Sequence, residues 1–285
     1  MARQSNGTVP THPSGTPPVS TSRKARRRDP IDVVDAKVAV DLATAQTYSE
    51  NVFLFIPNLI GYTRIILAGL SLHFMSYHPK YCTLLYGISC LLDAVDGQAA
   101  RALGQTSKFG AVLDMVTDRC TTSCLLCYLS SAYPSYALLF QFLIALDFSS
   151  HYMHMYSSLV TGSRSHKLVT SDVSRILWYY YNDSRTLFFM CAGNELFFVA
   201  LYLMKWIQTP ISESLPPSIA SLLPALLLTF TWPELMAALS FWVCLAKNII
   251  NVVQLWKASK ILVGVDLAER AAAREKEAAA REKKA

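Results

Sequence analysis

Apolar runs dominate the chain from residue 52 onward, and each is about as long as a hydrocarbon core is thick, which takes roughly 20 helical residues. Six such runs read as membrane-spanning helices, at 52–74, 82–103, 108–132, 135–158, 186–206 and 234–258. Segment 219–232 is apolar but short and broken by Pro224, so it reads as re-entrant or interfacial, with a seventh span as the alternative. Ahead of the first run, Ile31, Val34, Val38, Leu42 and Ala45 line one helical face, with Asp32, Asp35, Lys37 and Asp41 elsewhere. That pattern predicts a short helix lying in the membrane interface.

The expected fold is therefore all-α: a polytopic membrane bundle of six transmembrane helices with an N-terminal interfacial helix. Its divisions are a basic tail at 1–29, the interfacial helix at 30–50, the membrane domain at 51–260 and a charged helical tail at 261–285. The first segment is rich in Ser, Thr, Pro and Gly and cannot bury enough surface to fold. It ends in Arg23-Lys24-Ala25-Arg26-Arg27-Arg28, which suits an anionic-lipid contact or a topology determinant ahead of a membrane domain better than a nuclear address.

Composition agrees with the pattern, since 52% of the 285 residues are hydrophobic and 16% charged, with a mean hydropathy of +0.28. The net charge of +6 does not point to nucleic acid, because the basic residues lie at the ends and in loops beside the spans. Arg101 with Lys108, and Arg164, Lys167, Arg175 and Arg185, fall on one side with both termini, and the positive-inside rule makes that side cytosolic. On that side the sequons at Asn6 and Asn182 would stay unmodified. Seven cysteines lie within or beside apolar segments, and the helical spacing of Cys120, Cys124 and Cys127 is better read as packing than as metal ligation.

One stretch breaks the apolar pattern. Asp93 to Asp118 holds four aspartates in two adjacent spans, where each carboxylate costs about 2.5 to 3.5 kcal/mol on insertion scales unless something offsets its charge. Asp93 and Asp96 share one helical face, as do Asp114 and Asp118. A turn at Gln105 to Lys108 would bring the two pairs face to face. Hard oxygen donors converging from two helices suit two Mg²⁺ or Mn²⁺ ions.

Written out, the stretch is Asp93-x2-Asp96-Gly97-x2-Ala100-Arg101-x8-Gly110-x3-Asp114-x3-Asp118, which resembles the complete signature of the CDP-alcohol phosphotransferases. The resemblance implies that Asp93, Asp96, Asp114 and Asp118 bind two metals and that Asp118 is also the general base. It implies that Gly97, Arg101 and Ser107 hold CDP-diacylglycerol. Upstream, Pro57-Asn58-x2-Gly61-x2-Arg64 is similar to the family's entry helix, adding Asn58 and Arg64 to the donor contacts; by itself a Pro near a helix start is common, and Asn58 also suits a bond to a neighbouring span.

The stretches from Asp147 and from Asp183 are similar to the inositol-accepting eukaryotic members. The expected reaction is thus phosphatidyl transfer from CDP-diacylglycerol to myo-inositol, with Ser149, His151, Ser165, His166 and Lys167 as acceptor contacts or, equally, a solvated loop and helix end. A homodimer among membrane lipids, in the endoplasmic reticulum, completes the expectation. The alternatives are transfer to glycerol 3-phosphate or serine, and, from another class, an ion or metal transporter; no inverted repeat supports the last.

Overall fold

The computed structural model describes residues 51–161, 183–220 and 224–283, with positions 39, 40, 43, 44, 177, 180 and 222 besides. Among the described residues every regular element is helical, and the one pairing of extended backbone is an isolated antiparallel bridge between Pro210 and Thr231. Six long helices follow in order: α1 Ile56–Phe74, α2 Pro79–Ala102, α3 Lys108–Ala132, α4 Ala137–Val160, α5 Ser184–Met204 and α6 Trp232–Glu282. Single helical turns at Ile211–Ser214, Pro217–Ala220 and Ala225–Leu228 occupy the stretch expected to be re-entrant or interfacial. Of the expected interfacial helix only 39–40 and 43–44 are described, and these are helical. The tail at 1–29 lies outside the described residues, as does most of the 162–182 connection.

Local chemistry sets the helix starts. Proline occupies the first turn of α1, α2 and α6, where its missing N–H costs nothing. Ser107 caps α3 by accepting from the Gly110 N–H at 2.9 Å, and Asp183 caps α5 through the Arg185 and Thr186 amides at 3.2 and 3.1 Å. Those bonds, with one from the Thr186 hydroxyl, hold the exposed Asp183 carboxyl below its ordinary value. Thr231 and Glu234 form a reciprocal capping box on α6. α6 then runs unbroken for 51 residues, and its last fifteen, 268–282, are all Ala, Glu, Lys or Arg, strong helix formers. The charged C-terminal segment expected at 261–285 is, over its described residues, the continuation of this helix.

α1 lies along α2, α6 packs against both α4 and α5, and α3 sits between the two groups, touching α1, α4 and α5. The chain turns from α2 into α3 at Gly104, whose φ of +64° favours glycine. The Gln105 side chain accepts from the Ile56 N–H at 2.9 Å and ties that turn to the start of α1. α3 is divided along its length: its first half carries Asp114 and Asp118, while Leu125, Leu126 and Leu129 of its second half pack with Tyr86, Phe140, Phe198 and Tyr202.

Polar and apolar residues are distributed as a hydrocarbon solvent selects. Asn58, Arg64, Ser71, Ser89, Asp96, His154, Lys247, Asn251 and Gln254 are buried, whereas Ile66, Leu91, Leu138, Leu239, Trp242 and Trp256 are exposed. In water the order is the reverse. By length and apolarity, Arg185–Met204 and Trp232–Glu282 are each sufficient to cross a membrane.

Candidate active site

Asp93 and Asp96 lie near the end of α2 and Asp114 and Asp118 near the start of α3, so the turn at Gly104 folds the two pairs toward each other. Ligand atoms of Asp93, Asp114 and Asp118 all come within 4.8 Å of one another. The Arg64 guanidinium of α1 enters the same space. Its Nη1 donates to Asp96 Oδ2 at 2.7 Å and Asp114 Oδ1 at 2.8 Å, and its Nη2 to Asp118 Oδ1 at 2.5 Å, with Asp93 Oδ1 at 2.7 Å. Four carboxylates thus share one guanidinium. This surplus of negative charge, presented by hard oxygen donors from two helices, fits divalent cations such as Mg²⁺ or Mn²⁺.

A different pair of aspartates lines each of two cavities. The smaller, about 250 Å³, is bounded by Asp96 and Asp114 with Pro57, Asn58, Gly61, Gly97, Arg101, Ser107 and Gly110. The larger, about 390 Å³, is bounded by Asp93 and Asp118 with Arg119, Asp147, Asn194, Glu195, Lys247 and Asn251 among others. A carboxylate cluster between two clefts can bring two bound molecules to the same acidic edge. The CDP-alcohol phosphatidyltransferase family model matches residues 54–209, which span both cavities' signature walls.

The chain belongs to the CDP-alcohol phosphatidyltransferase family. It is therefore a transferase. It is 53% identical over 230 residues to the CDP-diacylglycerol–inositol 3-phosphatidyltransferase of Schizosaccharomyces pombe, covering 79% of this chain and 95% of that protein. The enzymes of the same name from Rattus norvegicus and Homo sapiens are 44% and 43% identical over 222 and 226 residues, each covering 78% of this chain and 97% of theirs. No solved structure matches.

Within this phosphatidyltransferase, the residues expected to touch the donor gather in the smaller cavity, with one exception. Gly97 leaves its helix face open, since a Cβ there would meet nothing closer than Arg101 Nη1 at 3.6 Å. Gly110 is needed for close approach: a Cβ would lie 2.6 Å from Asn58 Oδ1. Asn58 is held there by its Nδ2 donating to the Val52 carbonyl at 2.6 Å. Ser107 lines the cavity while its Oγ caps α3. Arg64 is the exception: it is buried among the four carboxylates and lines the larger cavity.

The expected acceptor residues are scattered. Ser149 is exposed, its hydroxyl donating to the Ala145 carbonyl at 2.5 Å. His151 stands behind the larger cavity, where its Nδ1 lies 2.8 Å from the Asp147 carbonyl and its Nε2 3.0 Å from Arg119 Nη1. Because guanidinium only donates, this network fits a ring protonated on Nδ1. Ser165, His166 and Lys167 lie outside the described residues.

The cavity wall is built instead from charged and amide groups that local patterns had not singled out. Arg119 Nη1 donates to Asp147 Oδ1 at 3.0 Å, and Arg119 Nη2 is 3.6 Å from Asp118 Oδ2. Asn251 Nδ2 also donates to Asp147 Oδ1, at 3.2 Å, and Lys247 Nζ donates to Asn251 Oδ1 at 2.6 Å. Glu195 accepts from Tyr86 at 2.6 Å and Thr122 at 2.8 Å. One signal was available for Glu195 and Lys247: an ionisable residue inside an apolar span marks function by default.

Proposed function

We propose that this chain transfers the phosphatidyl group of CDP-diacylglycerol to myo-inositol, releasing CMP, as the names of its relatives state for them. The observation that carries this reading is the aspartate cluster standing between two cavities, each lined by its own pair of acids. The smaller, glycine-lined cavity takes the cytidine and pyrophosphate, with Arg101 and Asn58 at its wall. The larger takes the polyol, whose hydroxyls match a lining of carboxylates, amides and a guanidinium.

Asp93, Asp96, Asp114 and Asp118 would hold two Mg²⁺ or Mn²⁺ ions, which when bound supply Lewis-acid stabilisation of the pyrophosphate. The acceptor hydroxyl oxygen forms a bond to the β-phosphorus, the bond from that phosphorus to the bridging oxygen breaks, and CMP departs with the electron pair. Asp118 takes the hydroxyl proton as the oxygen attacks, so its position matters more than its basicity. Arg119, beside Asp118, orients that carboxylate toward the larger cavity.

All six long helices cross the membrane in this reading, with α1 to α4 accepting polar residues because these face the bundle interior. Both termini and the active site lie on the cytosolic side of the endoplasmic reticulum membrane, and the enzyme works as a homodimer. The test is CMP release by the purified full chain given CDP-diacylglycerol, Mg²⁺ or Mn²⁺, and a panel of alcohols. Release that depends on myo-inositol is expected. Release only with glycerol 3-phosphate or serine would move the chain to another acceptor, and metal uptake into vesicles without CMP release would make it a transporter.

A further inference from the structure

The larger cavity has an internal charge balance that bears on which acceptors it admits. Away from the signature aspartates and the Arg64 guanidinium they share, the ionisable groups that line it among the described residues, tyrosine and cysteine aside, are Arg119 and Lys247 on one side and Asp147 and Glu195 on the other. Arg119 meets one carboxylate oxygen directly, and Lys247 is linked to the same oxygen through the Asn251 amide. Asp147 Oδ1 accepts from Arg119 Nη1 at 3.0 Å and from Asn251 at 3.2 Å, and Asn251 in turn accepts from Lys247 at 2.6 Å. Lys247 is further held over the Tyr180 ring, 5.6 Å from its centre. Glu195 is taken up by the Tyr86 and Thr122 hydroxyls.

Asp147 Oδ2 and Arg119 Nε are buried without a hydrogen-bond partner, although the groups on their other edges are satisfied. A cavity wall that sets a carboxylate among N–H donors is complementary to a hydroxyl, which can both donate and accept. It is not complementary to a phosphate, which brings only acceptor oxygens and nearly two negative charges, and so meets the carboxylate as a like charge.

We infer that Asp147 is the residue that restricts the acceptor to uncharged polyols, by neutralising Arg119 directly and Lys247 through Asn251 so that no phosphorylated alcohol finds an available cation. Asp147 acts as the repulsive element in that discrimination. The inference rests on the proposed placing of the acceptor in the larger cavity. Asp147→Asn keeps the shape and one accepting oxygen while removing the charge. It leaves Arg119 facing Asp118 at 3.6 Å, and Lys247 no longer linked to a carboxylate through Asn251. Asn251→Ala breaks the link to Lys247 only and should act in the same direction, more weakly.

The experiment measures CMP release by the purified full chain with CDP-diacylglycerol and Mn²⁺, using myo-inositol as acceptor and an inositol monophosphate as competitor. In the wild type, the competitor should inhibit with a constant at least about tenfold above the KM for inositol, the scale of a like-charge contact at a partly shielded site. In Asp147→Asn, the KM for inositol should rise and the inhibition constant fall, each by about tenfold, so that the order of preference approaches reversal. A merely structural role would weaken both ligands by the same factor, and that result overturns the proposal. So does a wild type that binds the phosphorylated and unphosphorylated polyols alike, a measurement that decides the matter even if neither variant folds. Absence of inositol-dependent CMP release from a folded wild type would instead overturn the proposed acceptor, and is read from a separate control.

Discussion

Gly110→Ala tests the fit between the α3 start and the entry helix. The new methyl group would stand 2.6 Å from Asn58 Oδ1, a separation that real Cβ atoms do not sustain, and 3.0 Å from Ser107 Oγ, a tight contact. Asn58 has little room to retreat, because it is 2% exposed and its amide is committed to the Val52 carbonyl at 2.6 Å. Forcing a methyl into such a site costs about 1 to 3 kcal/mol, and losing the Asn58–Val52 bond adds about 0.5 to 1.5 kcal/mol. If the strain is borne where the donor binds, the sum of about 1.5 to 4.5 kcal/mol lowers kcat/KM for CDP-diacylglycerol by about 10- to 10³-fold. Steady-state kinetics and thermal denaturation of Gly110→Ala, Asn58→Ala and the double variant form the assay. With the amide gone, the methyl finds space, so the double variant should match Asn58→Ala alone. Strictly additive losses, or a Gly110→Ala enzyme that behaves as wild type, would refute the steric account.

Asp93→Asn, Asp96→Asn and Asp114→Asn should each nearly abolish turnover at saturating Mg²⁺ while leaving detergent-solubilised protein monodisperse; near-normal rates in any two would remove the two-metal assignment. Asp118→Asn should slow single-turnover phosphatidyl transfer by about 10²-fold or more with far less change in the donor dissociation constant. Collapse of affinity with a surviving single-turnover rate would make Asp118 a metal ligand only. Cysteines introduced near Ser22 and Ser163 should both react with a membrane-impermeant reagent from the cytosolic face of sealed vesicles, and labelling of one alone would contradict six crossings.

The parts of the site that were readable along the chain are those held within one helix or one tight turn. The i,i+3 spacing of Asp93 and Asp96, the i,i+4 spacing of Asp114 and Asp118 and the turn near Ser107 are local facts, and they reappear as one carboxylate cluster. Helix positions were equally local, since the apolar runs lie within a few residues of α1 to α5 and of the start of α6. Arg64 was legible as a polar group on the entry helix, but not as the common partner of four acids 29 to 54 residues away. The larger cavity was least legible because its wall comes from six helices, α1 and α2 meeting α3, α5 and α6 around Asp147 of α4. The bond between Asn251 and Asp147 joins positions 104 apart, a juxtaposition that periodicity does not encode. Where the polar groups of 149–151 lie was visible; which way they face depends on α6 packing beside α4.

With donor and acceptor placed as proposed, the division of the four carboxylates between two cavities also constrains the order of events during turnover. Asp96 and Asp114 open on one cleft while Asp93 and Asp118 open on the other, so both substrates would reside on the protein together and neither would have to leave before the other arrives. Direct transfer between co-resident substrates needs no phosphatidylated side chain as an intermediate, and initial rates measured against both concentrations should give intersecting reciprocal lines. Labelled CMP should then fail to exchange into CDP-diacylglycerol when the alcohol and its product are withheld, because the phosphatidyl group has no resting place on the enzyme between its two partners.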